Sequence, residues 1–176
     1  VMINRPGAGG NIATEAVIAS GIDGHTLLVN GDQLVTTPHL APKNMRYDVF
    51  KDLVPITRLV TVPFAFIVGP SVNATSIKDF VAASRSGKAK FTYATPGNGT
   101  LSHLLGVVLE KDAGIPLTHV PYRGAAPALV DVMGGQVNLM ITSTSSVAGH
   151  VTQGKLRALA HWGQGRLEAR VAPDGA

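Results

Sequence analysis

Between residues 76 and 161, short β-type runs alternate with runs of helical period, and no other feature narrows the possible folds as much. SIKDFVAAS, residues 76–84, has helical spacing, with Ser76 as N-cap and Asp79 three residues later in the manner of a capping box. Strand KFTYA follows, then the loop PGNGT and a helix, SHLLGVVLEKDAG, that Gly114 ends. Next come strand LTHVPY, loop RGA, helix APALVDVMGG, strand VNLMI, the polar loop TSTSS, helix SVAGHVTQG and strand KLRALAH. Strands that alternate with helices are joined by crossovers, which bring them parallel. The expected class is therefore α/β with parallel pairing.

The first half has a weaker rhythm. Residues 1–3 (VMI) are β-type, residues 4–10 form a Gly/Pro turn, and residues 11–19 have a helical pattern with Ile12, Ala16 and Ala19 on one side. HTLLVN, residues 25–30, reads as a buried strand ending at Asn30, and residues 31–51 as short turns and loops. Residues 53–68 are long and β-branched, but Pro55 and Pro63 divide them into two extended segments. After Trp162 the periodicity stops, and the end reads as a loop or tail. With no initiator Met, no leader pattern and an opening already inside an expected strand, the chain reads as a fragment or a processed form whose beginning is missing.

In an open parallel sheet, ligands collect beyond the carboxyl ends of the strands. The turns expected there are NRPGAGG, NGDQ, TPGNGT, YRGAA and TSTSS, all rich in Gly, amides or small hydroxyl residues. Glycine lets backbone approach a ligand, and helix-start N–H groups attract anions. The same residue types are also ordinary turn and N-cap residues. A net charge of +4 suits an anionic ligand, while its scattered Lys and Arg argue against nucleic acid.

Other chemistries find little support. The absence of Cys excludes disulfides, thiol catalysis and cysteine metal sites. The six His residues form no HxH or HxxxH pair, and no GxSxG elbow is present. His103, near PGNGT, reads as a structural or capping residue, and Asp131 and Glu110 as solvated helix faces. PGNGTLS lacks the Lys of a phosphate-binding loop. One nucleotide reading stays open: Gly7 to Gly10 with Asp32 after the next expected strand, although Ile12 stands where a third Gly belongs.

Taken together, NRPGAGGN, DGHTLLV, YDVFKDLVPITRLV, TPGNGTLSHL, VPYRGAAPALVDVMGGQVNLM and GKLRALA, in this order, resemble the Bug-type substrate-binding proteins of tripartite tricarboxylate transporters. The resemblance implies a periplasmic, two-lobed fold of the type II periplasmic-binding-protein kind. Such a protein captures a small organic acid and delivers it to membrane permease subunits, with no enzymatic activity and no cofactor. On this reading the first lobe holds residues 1–62 and is incomplete. The second holds residues 63–158, and residues 159–176 begin a crossover and tail. An incomplete lobe could also join two copies as a homodimer.

The resemblance also places the ligand contacts. Asn30 and Asp32 would face the ligand from the first lobe, and Gly97, Asn98, Gly99, Thr100, Ser102, Tyr122, Arg123, Gly124, Ala125 and Thr142 from the second. Thr100, Ser102 and the amides of Gly99 and Gly124 are expected to carry the contact. Arg123 either pairs with a carboxylate or points into solvent. Some relatives that resemble this chain carry an Asp near Thr142, suited to a ligand's amino group. Residues 142–146 contain no acid here, so a non-amino acid is expected.

Overall fold

The computed structural model describes residues 1–40, 45–87 and 89–163. Its centre is one five-stranded sheet built from β1 (Phe64–Val68), β2 (Phe91–Thr95), β3 (Leu117–Pro121), β4 (Leu139–Ser143) and β5 (Arg157–Trp162), in the order β3-β2-β4-β1-β5. Helices α4 (Ile77–Arg85), α5 (Leu101–Ala113), α6 (Ala125–Met133) and α7 (Thr144–Thr152) connect these strands. The α/β alternation expected from residue 76 onward is thus present, with boundaries displaced by a residue or two.

The pairing corrects one expectation. β2 runs parallel to β3 and β4, but β1 is antiparallel to both of its neighbours, β4 and β5. Parallel neighbours need a crossover, which α5 supplies between β2 and β3. β1 has no helix joining it directly to either neighbour, so its direction is free of that rule. The reversal puts its first residue, Phe64, beside Ser143 and Trp162, the far ends of β4 and β5.

Alternation along the central strands divides the core into two layers. Phe66, Val68, Leu139 and Ile141 face α4 and α5 together with Phe80, Phe91 and Tyr93. Ala65, Ile67 and Met140 face α6 and α7 with Ala128, Val132 and Val147. Phe80 packs against Phe66 with ring centroids 5.0 Å apart and against Phe91 at 4.8 Å. Ser76 caps α4 by accepting the Asp79 N–H at 3.1 Å, while Asp79 reaches one residue further back than a capping box, to Thr75. Gly114, left-handed at φ 59°, ends α5 as expected.

The first sixty residues contain no strand among the described residues. A 3₁₀ turn (Ala8–Gly10), α1 (Asn11–Ala19), α2 (Gln33–Leu40) and α3 (Val49–Asp52) lie there instead. The expected strands VMI and HTLLVN do not form, because no second backbone runs beside them to take their hydrogen bonds. Their apolar side chains Val1, Met2, Ile3, Leu27 and Val29 are exposed. Of residues 53–68 only the part after Pro63 pairs as a strand. The expected terminal loop lies, beyond Gly163, outside the described residues.

Gly106 illustrates how tightly α5 packs on the sheet. A Cβ there would meet the buried Tyr93 ring, with Cζ at 2.6 Å. Gly106→Ala is expected to destabilise the protein by about 1–3 kcal/mol, against the usual gain from removing a helical glycine. Gly149, inside α7 with open space around it, provides the contrast. Gly149→Ala should stabilise by about 0.5–1 kcal/mol. Urea unfolding of both variants checks the pair, and effects of the same sign would refute the packing account.

Candidate functional site

A hollow of about 340 Å³ lies where β2 and β4 end and β1 begins, closed on its other side by residues 4–33. Its lining includes the residues that open α1, α5, α6 and α7, namely Gly10, Thr100, Gly124 and Ser143. None of these four N-cap positions supplies a side-chain capping bond. By contrast α3 and α4, which start away from the hollow, are capped by Asp48 and Ser76. The Asn11 N–H of α1 goes to Ala8 O and the Thr144 N–H of α7 to Pro63 O. The first N–H groups of α5 and α6, by contrast, have no partner among the described residues, and they present unsatisfied donors and partial positive charge to whatever occupies the hollow.

The turn that opens α1 depends on unusual backbone. Gly7, Ala8, Gly9 and Gly10 all have positive φ, from 47° to 123°. Three of the four are glycines, as such a run requires. The turn approaches the PGNGT loop so closely that a Cβ on Gly97 would lie 3.7 Å from Gly9 N. Asn30 secures the turn from behind: its Nδ2 donates to Thr14 Oγ1 at 3.0 Å, and Thr14 Oγ1 donates to Gly10 O at 3.1 Å. Asn30 Oδ1 also accepts from Gln33 Nε2.

Of the residues expected at the ligand, Asn30, Asp32, Thr100, Ser102, Gly124, Ala125 and Thr142 line the hollow. Gly97, Asn98, Gly99, Tyr122 and Arg123 do not. Arg123 is exposed. Tyr122 is turned to α6, where its hydroxyl donates to Asp131 Oδ2 at 2.6 Å. Burial, reinforced by that hydrogen bond, raises the phenol to about 12. Asp131 is therefore a half-buried acceptor, not a solvated residue. Glu110 is likewise engaged, accepting the Leu117 N–H at 3.1 Å.

The donors differ from those expected in a specific way. The Gly99 N–H goes to His103 Nδ1 at 3.2 Å, and the Gly124 N–H goes to Pro96 O at 3.1 Å. Thr100 Oγ1 gives its hydrogen to Gly97 O at 2.8 Å. These three groups hold the loops in shape. Ser102 and Thr142, only 2% and 3% exposed, have hydroxyls with no hydrogen-bond partner among the described residues. Both line the hollow, beside the helix-start amides of Leu101, Ser102 and Ala125.

Sequence reasoning missed several lining residues. Arg5 and Gln33 stand in turns it had marked, but no motif singled them out. Phe64 lies in a stretch read only as an extended segment, with no strand direction to bring its start to the hollow. Ser143 and Ser146 belong to the marked TSTSS turn and bond to each other at 2.7 Å. Arg5 and Asp32, of opposite charge, are the ionisable side chains of the lining. The remaining polar groups of the lining are neutral hydroxyls, side-chain amides and backbone.

Behind the loop, His103 of α5 and His119 of β3 stack with centroids 4.2 Å apart and ring planes 17° from parallel. His119 Nε2 lies 2.6 Å from Thr95 Oγ1, which accepts the Gly97 N–H at 3.3 Å. Of the structural or capping role expected of it, His103 has the structural one, holding Gly99 in the loop that precedes α5.

Comparisons with known proteins match this arrangement. The periplasmic binding protein BugD superposes with a TM-score of 0.88 at 34% identity, covering 94% of this chain and 55% of that one. The R. palustris protein Rpa4515, solved with adipate, superposes at 0.89 with 30% identity, covering 94% and 56%. The fold is that of the periplasmic binding proteins. Residues 1–173 match the tripartite tricarboxylate transporter family receptor, and the chain belongs to that family. A UPF0065 protein of Bordetella bronchiseptica is 38% identical over 156 residues, which is 89% of this chain and 46% of the relative. The chain spans about half the length of the curated relatives it matches.

Burial, with a smaller push from His103, lowers the His119 imidazole from 6.5 to about 4. The unfolded chain then binds this proton before the folded one does. The contribution of His119 to stability is complete above its unfolded value, and it is lost as pH falls from about 6.5 toward about 4. The thermal midpoint should fall across that window. His119→Gln, which keeps a polar partner for Thr95, should flatten the fall. An unchanged slope in the variant would show that the loss comes from other groups.

Proposed function

We propose that this chain is the ligand-capturing part of a periplasmic receptor for a small organic carboxylate, which it passes to membrane permease subunits. The observation that carries this reading is the convergence of four helix starts without side-chain caps on a hollow lined by two buried residues, Ser102 and Thr142, whose hydroxyls have no partner among the described residues. Residues 1 to about 62 and about 63 to 158 form the two walls, in the manner of a cleft that closes on its ligand. Adipate in the similar R. palustris protein supports a carboxylate. The nucleotide reading loses its footing. Asp32 follows no strand here, and the Gly7 to Gly10 turn opens α1 onto the same hollow as the other helix starts.

A thermal-shift screen tests the reading, since a ligand that binds only the folded state raises its midpoint. Succinate, malate, adipate and citrate should raise it on this chain, and NAD and ATP should not. Stabilisation by nucleotides alone would overturn the proposal. Residues 142–146 offer no carboxylate to an ammonium group, so succinate should bind more tightly than aspartate. The reverse order would assign that role to Asp32.

The donor assignment has its own test. A hydrogen bond to a charged group contributes about 1.5–3 kcal/mol, so Ser102→Ala and Thr142→Val should each weaken carboxylate binding about tenfold or more. Thr100→Val should act instead by loosening the 97–100 loop, seen as faster amide exchange there. Calorimetric titration of the three variants separates the roles. Undiminished affinity in both Ser102→Ala and Thr142→Val would remove the hydroxyls from the site.

A further inference from the structure

We infer that His103 is a pH-sensitive positioning residue: its unprotonated Nδ1 holds the loop that aims the α5 N-terminus at the ligand, and protonation there lowers anion affinity. The inference rests on the carboxylate-receptor reading for its consequence, but its structural part stands without a ligand.

The loop at residues 97–100 is held by side chains on three sides. Thr36 of α2 donates to Gly99 O at 3.1 Å, linking the loop to the opposite wall of the hollow. Thr100 Oγ1 and Thr95 Oγ1 lie 2.8 and 3.2 Å from Gly97 O. The third support is His103, in α5 three residues after Thr100, which accepts the Gly99 N–H at 3.2 Å. An acceptor nitrogen carries no proton, so this bond exists only while Nδ1 is bare. The other supports are hydroxyl donors that carry no charge, so among them this support alone is conditional on the protonation of its ring nitrogen.

The surroundings oppose a charge on both rings. His103 lies face to face with His119 at 4.2 Å, so charging both brings like charges together. Tyr93 of β2 stands against His119 at 4.9 Å and is held neutral to about 12 by its burial and by Glu110. Glu110, on α5, is committed to the Leu117 N–H. α2, which meets the loop through Thr36, carries only His39 as an ionisable residue, with Asp32 just before its start. His103 does not line the hollow. Its proton therefore acts on the loop and not as a direct partner of the anion.

Two substitutions separate the roles of the imidazole. His103→Asn places an amide oxygen where Nδ1 stands, keeping an acceptor that does not titrate. His103→Leu removes the acceptor. The first measurement needs no ligand: amide exchange at Gly99, relative to the global unfolding rate, between pH 8 and pH 5.5. In the parent chain Gly99 should lose protection as pH falls. The Asn variant should keep it at both pH values, and the Leu variant should lack it at both. The second measurement is calorimetric titration with adipate. Affinity should fall about tenfold from pH 8 to pH 5.5 in the parent chain, corresponding to one broken loop contact of about 1.4 kcal/mol. It should change no more than about twofold in the Asn variant and start about tenfold weaker in the Leu variant. Adipate's own titration is common to all three and cancels in the comparison. Parallel pH profiles in the parent and Asn variants, tighter binding at pH 5.5, or full Gly99 protection in the Leu variant would each overturn the inference. If no variant binds adipate at pH 8, the functional reading fails for that acid, while Gly99 exchange still decides the role of His103.

Discussion

The first backbone N–H groups of α5 and α6 have no partner among the described residues, and the organisation of the hollow follows from that constraint. Helix starts require acceptors, and a buried start without one is unfavourable unless water or a ligand supplies it. Where a helix begins away from the hollow the chain supplies its own acceptor, as Ser76 does for α4. At the hollow it does not. The Thr100 hydroxyl is turned back to Gly97 O, and Gly124 has no side chain to offer. Pro127 suits the first turn of α6 for the same reason, since it brings no N–H that would need a partner there.

Bringing these starts together is the work of the sheet. β2 and β4 run parallel and deliver α5 and α7 from the same edge, and β3 beside them delivers α6. The reversed β1 then contributes its beginning to that edge, so Phe64 supplies an apolar wall where a parallel strand would have placed Val68. Its two antiparallel ladders also bury four of its five residues, which makes the reversed strand the centre of both core layers. The Pro63 carbonyl just before it accepts the Thr144 N–H at 2.9 Å, tying the start of β1 to the start of α7.

How much of this was legible in the sequence depends on the range of the interactions involved. The helices and strands after residue 76, the Ser76 cap and the Gly114 stop follow from local spacing and capping chemistry, and they appear where that chemistry puts them. VMI and HTLLVN have the composition of strands, but a strand is a relation between two backbones, and no partner runs beside them among the described residues. The direction of β1 was hidden for a similar reason, because alternation of elements records succession and not neighbourhood. Seven of the twelve expected ligand residues reach the hollow, since Gly-rich turns at strand ends mark its location. Which donors remain available was not legible. Gly99 and Gly124 look equivalent to any helix-start amide until His103 and Pro96 are seen to occupy them.

The preference for neutral donors has a physical consequence of its own. A buried arginine facing a carboxylate would form a strong pair, yet it would leave an uncompensated charge in the empty site, and both charges would lose their hydration on binding. Hydroxyls and backbone amides carry no such cost, because water can satisfy them in the empty hollow and leave when an anion arrives. Their partial charges are fixed by the helices and by the loop bonds behind them, so little has to reorganise when the ligand enters. Discrimination then depends on where the donors point and not on how much charge they carry. That gives the bonds holding the 97–100 loop, from Thr36, Thr95, Thr100 and His103, more influence over binding than their distance from the ligand would imply.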